Sequence, residues 1–246
     1  MQVMMKYMDA IRQTLDKVNA TQTEAKEKAA DMLADATLHD RNIFAFGCNH
    51  AGLLALEMYY RTGGMVNINP VRGPGLQLDV DPATLTSQME RLPGYGRILM
   101  EQIPLEQGDV VMIHSVSGRN PVTVDAALYA REKGATVIAL TNMATTKAVS
   151  SRHESGKSLF QVAHLVIDNC GCVGDAAVEI PGTAYQVGPT STAVGAAILN
   201  AIVVEAVSKI TATGRPAPVF VSANLDGGDE HNRRVMEDYR EHIFYM

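Results

Sequence analysis

The sequence predicts an α/β fold: a doubly wound parallel sheet of five strands in the order 2-1-3-4-5, flanked by helices. Two observations predict it. From residue 42 onward, short runs of consecutive apolar residues alternate with helical stretches, as strands covered on both faces by crossover helices require. Glycine-bearing loops follow the first and third of these strands, which flank the switch point where such sheets bind ligands.

The elements follow in order. Met4, Tyr7, Met8, Ile11, Leu15 and Val18 recur at helical spacing and predict an amphipathic first helix. Thr21 and Glu24 have the spacing of a capping box, opening a second helix striped by Ala25, Ala29, Met32, Leu33 and Ala36. The strands are expected at Ile43–Phe46, Val66–Ile68, Val110–His114, Thr136–Leu140 and Leu165–Ile167. The helices between them are expected at Leu53–Tyr60, Thr86–Met100, Val122–Glu132 and Ser158–Ala163. Ala176–Ile180 reads as a short extra strand, and Thr190 to Ile210 as a long helix. That helix is apolar on more than one face, which points to burial at a subunit interface in a homodimer or larger oligomer. No linker or repeat interrupts the pattern. One domain over residues 1–246 is expected, with a helical extension over about 1–40 and a tail over about 215–246.

Composition removes several function classes. The net charge of −6, with no block of like charges, excludes a sequence-independent grip on nucleic acid. Lys6, Asp9 and Arg12 interrupt the N-terminus, so no signal peptide is expected. The apolar run Ala193–Leu199 is too short to span a bilayer, and a cytoplasmic protein with no membrane partner is expected. Cys48, Cys170 and Cys172 form neither a disulfide framework nor a zinc knuckle, so no metal is expected.

The chemistry concentrates in loops. Gly47-Cys48-Asn49-His50 follows the first strand, where glycine permits a sharp turn and brings backbone N–H groups near a ligand. It is not a dinucleotide fingerprint, because Asn49 stands where the second glycine would be, and Ser151 likewise spoils a P-loop reading of Gly156-Lys157-Ser158. No nucleotide cofactor is therefore expected. Ser115-Val116-Ser117-Gly118-Arg119-Asn120-Pro121 follows the third strand. Asn120 suits a helix N-cap and Pro121 the first helical position, so two serine hydroxyls stand before a helix N-terminus. This reads either as a neutral cradle for phosphate or as an ordinary serine-rich turn.

The loop Ser115-Val116-Ser117-Gly118-Arg119-Asn120 resembles the S-x-S-G-x-T phosphate loop of the sugar isomerase (SIS) domain family. Gly47-Cys48-Asn49-His50 stands where that family has G-x-G-x-S, and Gly188-Pro189-Thr190-Ser191-Thr192 resembles its third ligand-facing segment. Asn120 replaces the family's threonine, and His50 with Ala51 replaces its serine. The resemblance implies the SIS fold, a sugar-phosphate ligand, an oligomer, and isomerase, etherase or sensing roles. It places ligand contacts at Gly47, Cys48, Asn49, Ser115, Ser117, Gly118, Asn120, Thr190, Ser191 and Thr192.

Aldose–ketose isomerisation through an enediol needs a base beside the carbonyl and a group that handles oxygen protons. His50 and Glu57 are candidates on one helix, although Glu57 and Arg61 also have the spacing of a surface ion pair. Glu230 and His231, in a polar cluster with Asp226 and Asp229, are further candidates that would close over a site. A capped, solvated tail is the alternative there. His114 and His164 read as satisfied core residues, and Glu205 as one needing a partner if buried. A phosphosugar isomerase is the expected function. The alternatives are a non-catalytic sensor, for which the first forty residues are too short and acidic to supply a DNA-binding module, and a sugar-phosphate etherase or lyase.

Overall fold

The computed structural model describes residues 2–246. Helices α1 (Gln2–Thr21) and α2 (Thr23–Leu38) precede the sheet. The expected capping box does not form. Helix α1 runs on to Thr21, whose hydroxyl donates to the Lys17 carbonyl of its own helix at 2.7 Å.

Strands β1 (Ile43–Gly47), β2 (Ile68–Pro70), β3 (Val110–His114), β4 (Thr136–Thr141) and β5 (Leu165–Asp168) form one parallel sheet ordered β2-β1-β3-β4-β5. This is the expected doubly wound order. Alternate strand residues build two cores, as the period of a strand dictates. Ile43, Ala45, Met112 and Ile138 face one side, and Phe44, Phe46, Val111 and Val137 face the other.

The crossovers are α3 (His50–Glu57), α4 (Leu85–Met89), α5 (Tyr95–Glu101), α6 (Pro121–Glu132), α7 (Met143–Ala148) and α8 (Leu159–Val162). Two expectations need correction here. The helix after β1 starts at His50 and stops at Glu57, short of Tyr60, which takes a positive φ of 46°. The single helix over 86–100 is two, because Pro93 and Gly94, with φ 79°, break it. Helix α7 was not anticipated. Its signal was Asn142, whose side chain caps it by accepting from the Thr145 N–H at 2.7 Å.

Beyond the sheet, β6 (Ala176–Glu179) pairs antiparallel with β7 (Gln186–Pro189), and α9 (Ser191–Ala212) follows. Helix α9 is long and apolar enough to cross a membrane by length and composition alone. Here one side packs in the core, burying Val194, Ile198, Ile202 and Ile210 beside α2 and α3, while Ala193, Ala197, Ala201 and Val204 face outward. Glu205 is exposed and lies 3.5 Å from Lys209. The chain ends with α10 (Gly228–Asp238) and a segment that returns to the sheet edge. The Phe244 N–H donates to Asn69 Oδ1 at 2.8 Å, and the Phe244 ring stacks on Phe44. The segment between α9 and α10 explains why β2 begins at Ile68 rather than Val66. Met65 bridges Val219, and the Val66 N–H donates to the Pro218 carbonyl at 2.8 Å.

Gly47 is where β1 and α3 meet most closely. A Cβ there would lie 2.4 Å from the Ala51 carbonyl oxygen, a backbone atom that cannot step aside. Gly47→Ala should therefore cost about 1–3 kcal/mol, an overpacking penalty, seen as a lower urea midpoint at unchanged slope.

Candidate functional site

Strands β1 and β3 are neighbours, in register to the pair Gly47↔His114, so their following loops rise side by side. A crevice of about 710 Å³ opens there, at the C-terminal edge of the sheet. Helices α3, α6 and α9 all start at its wall, where His50, Asn120 and Ser191 line it. Helix N-termini carry the positive end of the dipole, so their convergence favours an anion, although α9 already meets Asp175 and the Val122 N–H of α6 donates to the Glu90 carbonyl at 3.3 Å. Among the described residues no lysine or arginine lines this crevice. Its charged side chains are two carboxylates, Glu90 and Asp175, so an anion there would be met by dipoles and hydroxyls alone.

The loop after β3 is held from behind. Leu159 N–H donates to the Gly118 carbonyl and Arg152 N–H to the Arg119 carbonyl, both at 2.8 Å. Ser115 Oγ accepts from the Gly118 N–H at 3.1 Å, which leaves its own proton free to donate. Gly118 takes φ 59°, the left-handed turn that aims the loop into α6. Asn120 precedes α6 but does not cap it through its side chain as expected. Its Oδ1 instead accepts from Arg152 Nη1 at 2.9 Å.

Helix α9 is handled differently. Asp175 accepts from the Ser191 N–H at 2.8 Å, the Ser191 hydroxyl at 2.5 Å and the Thr190 N–H at 3.1 Å. A carboxylate from outside the helix thus occupies its N-terminus. Thr190 is buried beneath this contact and does not line the crevice, whereas Ser191 and Thr192 do.

The structure brings Cys48, Asn49, His50, Ser115, Ser117, Asn120, Ser191 and Thr192 together around one volume. Gly47 and Gly118 shape the backbone behind it. The other acid–base candidates lie elsewhere. Glu57 pairs with Arg61 and accepts from Asn200 Nδ2 at 2.9 Å, away from the crevice. Glu230 is exposed on α10, and His231 Nε2 lies 3.0 Å from the Val219 carbonyl, pinning α10 to the returning segment. Helical geometry is the reason for Glu57: seven residues after His50 it has descended the side of α3 that meets α9.

Three titratable lining residues escaped the sequence reading. Glu90 sits at the end of α4, where an unbroken helix would have hidden it. Burial pushes its carboxyl above the ordinary range, opposed by the Asn120 and Asn49 amides and by Arg91 and Arg152. Asp175 was legible only as a polar residue after a glycine. His114 was read as a satisfied core residue, and here the structure differs. It is 1% exposed, it lines the crevice, and neither ring nitrogen has a hydrogen-bond partner. Burial pushes its imidazole down to about 4, a drop that the nearby Ala51 carbonyl only partly offsets. His164 matches only half of the expectation: its Nδ1 accepts from the Val137 N–H at 2.9 Å, but the residue is exposed rather than part of the core. Cys48 is a thiol, not a thiolate, because burial first and the charge of Glu90 second push it up to about 12.

Comparison with known proteins agrees with this architecture. The SIS domain matches residues 6–142. The chain belongs to the SIS domain family. A UPF0309 protein of Shouchella clausii is 49% identical over 96% of this chain and 94% of its own. Another, from Oceanobacillus iheyensis, is 42% identical over the full length of both. Among solved structures, a phosphoheptose isomerase from Francisella tularensis covers 81% of this SIS chain and 94% of its own, with a TM-score of 0.52 and 16% identity. The phosphoheptose isomerase GmhA of Neisseria gonorrhoeae covers 85% and 97%, with a TM-score of 0.50 and 19% identity. At such identities the likeness is one of fold.

The buried histidine makes the stability of this SIS chain sensitive to acid. In the unfolded chain its imidazole takes up a proton near pH 6.5, whereas the folded ring resists until about 4. The unfolded state therefore binds more protons in that window, and stability falls as pH drops through it. In His114→Leu this component should vanish. Urea titrations of both chains between pH 7 and 4 should show the gap in stability shifting toward the variant as the solution is acidified.

Proposed function

We propose that this SIS protein binds a sugar phosphate in the crevice and interconverts its aldose and ketose forms. The observation that carries the reading is the Ser115–Asn120 loop, which delivers free hydroxyl donors and the N-terminus of α6 to a cavity beside a carboxylate and an imidazole. The SIS resemblance supports the same ligand class.

Elimination among the lining groups assigns the chemistry. Asp175 is consumed by α9, and Cys48 is held protonated. Glu90 and His50 remain able to move protons. Glu90, its carboxyl raised by burial, is a base whose conjugate acid is strong enough to return the proton. It removes the proton from the carbon next to the carbonyl, giving an enediol, and redelivers it to the adjacent carbon. His50, exposed at the start of α3, transfers the proton between the two oxygens. The net change is one hydrogen moved between carbons and one between oxygens.

We further propose that the protein works in the cytoplasm, because a doubly charged sugar phosphate does not cross a bilayer. We also propose that it self-associates. The outward stripe Ala193, Ala197, Ala201 and Val204 on α9 is apolar, and Val204 is 69% exposed. Light scattering at micromolar concentration should give a dimer or larger mass, and Val204→Glu should reduce it. A monomeric native chain would refute the assembly.

Ser117 makes no side-chain hydrogen bond within the described residues, so Ser117→Ala tests the phosphate site without disturbing the loop. It should weaken binding of fructose 6-phosphate or inorganic phosphate by about 1.5–3 kcal/mol, the worth of a hydrogen bond to a charged group. Calorimetry showing unchanged affinity would remove the phosphate assignment. Glu90→Gln should retain binding while a turned-over sugar phosphate loses its solvent exchange in heavy water by 10²–10⁴-fold, the usual contribution of such a group. Binding by the native chain with no exchange on any sugar phosphate would mark a sensor rather than an enzyme.

A further inference from the structure

His114 closes β3 at the floor of the crevice, directly opposite Gly47 of β1. It is 1% exposed, and both ring nitrogens lie shielded from water; neither makes a hydrogen bond of ordinary geometry, the Ala51 carbonyl being close enough to act on the ring but not aligned to accept from it. A neutral imidazole has one N–H donor and one acceptor nitrogen. Leaving each unsatisfied in a buried place is unfavourable, and an apolar residue of similar volume would avoid it. Every neighbouring position of β3 is apolar: Val110, Val111, Met112 and Ile113. The one polar residue of the strand thus stands at the one position that the crevice reaches. Packing alone gives no reason for it there.

We propose that His114 is a ligand-contacting residue, whose ring exchanges hydrogen bonds with the hydroxyl–carbonyl end of the bound sugar phosphate. The inference rests on the phosphosugar reading for the identity of the ligand. A hydroxyl next to a carbonyl is chemically matched to this ring, since the carbonyl accepts from its N–H and the hydroxyl donates to its other nitrogen. The phosphate stays with the serine loop. The ring remains neutral across the working pH range, and so keeps both roles at once. Inorganic phosphate supplies no carbonyl, so the contact favours the sugar over the bare anion. His114 then acts as a specificity residue for the carbon chain, separate from the anion site.

The test compares the native chain, His114→Leu and His114→Gln. In the absence of ligand, His114→Leu should melt higher by about 2–4 °C, because it removes unsatisfied buried groups without opening a cavity. A residue held only for packing would give a lower melting temperature. Binding is then measured by calorimetry with inorganic phosphate and with fructose 6-phosphate, arabinose 5-phosphate and sedoheptulose 7-phosphate. Phosphate affinity should be the same in all three chains. The preference for the best-bound sugar phosphate over phosphate should fall at least tenfold in His114→Leu and less in His114→Gln, which retains a donor and an acceptor. A lower-melting His114→Leu, or one whose sugar preference is native, overturns the proposal. If the native chain binds neither phosphate nor any of the sugars, the phosphosugar reading falls. His114 is then judged on melting: a higher-melting Leu variant upholds an unmet ligand contact, and a lower-melting one overturns it.

Discussion

The parallel pairing of β1 with β3 is the constraint on which the rest of the molecule depends. The two strands match residue for residue from Ile43↔Val110 to Gly47↔His114, with every one of these positions buried. A slip of one residue would turn Phe44 and Phe46 from one core to the other, so the register is held by both cores at once. Because it is held, the two strands end together. Gly47 permits α3 to start hard against the strand, with the Ala51 carbonyl where a side chain would otherwise stand. The serine loop rises from the neighbouring strand at the same height. A crevice walled by helix N-termini follows from sheet geometry before any ligand is considered.

That geometry also explains the electrostatics of the site. A phosphate pocket built on lysine or arginine binds through charges that salt screens and that long side chains must order. Here the donors are backbone N–H groups and short hydroxyls already fixed by the sheet. The molecule distinguishes its helix starts. Asp175 closes α9 with a carboxylate, whereas α6 has no acidic residue in its first turn and no side-chain cap. One helix start is closed by a carboxylate; the other is met only by a backbone carbonyl, the Val122 N–H donating to that of Glu90 at 3.3 Å. Glu90 lies between the two tendencies, raised by burial yet steadied by the Asn120 and Asn49 amides.

Much of this was legible in the sequence. Strands β1, β3, β4 and β5 carry largely apolar runs, and their boundaries fall within a residue of expectation; β1 and β3 are buried throughout, while β5 stands at the sheet edge. The serine loop was legible because Asn120-Pro121 announces a helix start. The errors arise where distant segments intervene. Val66 has strand character, but its N–H is taken by a carbonyl at position 218, and no local signal reports that. The helix over 86–100 failed through a local signal given too little weight, the pair Pro93-Gly94, and Glu90 was missed with it. Glu57 and His50 lie on one side of α3, yet about 10 Å of rise along the helix puts one in the crevice and the other against Asn200.

The residues hardest to read from sequence are those that serve the site against the interest of the fold. An apolar strand ending in histidine looks like a core strand with one tolerated exception. Only the position of His114 relative to the crevice, together with the absence of any partner for its ring, separates an exception from a function. Local sequence reasoning assumes that every polar group in a core finds its partner, because nearly all of them do. A crevice that takes a ligand breaks that assumption: groups that meet the ligand are left without partners in its absence. Helix α6, whose start has no side-chain cap, and His114, whose ring makes no hydrogen bond of ordinary geometry, are two cases of one rule. Both lower the stability of the ligand-free chain, and both lie at the C-terminal ends of the paired strands, the one edge of the sheet where a ligand can make up the loss.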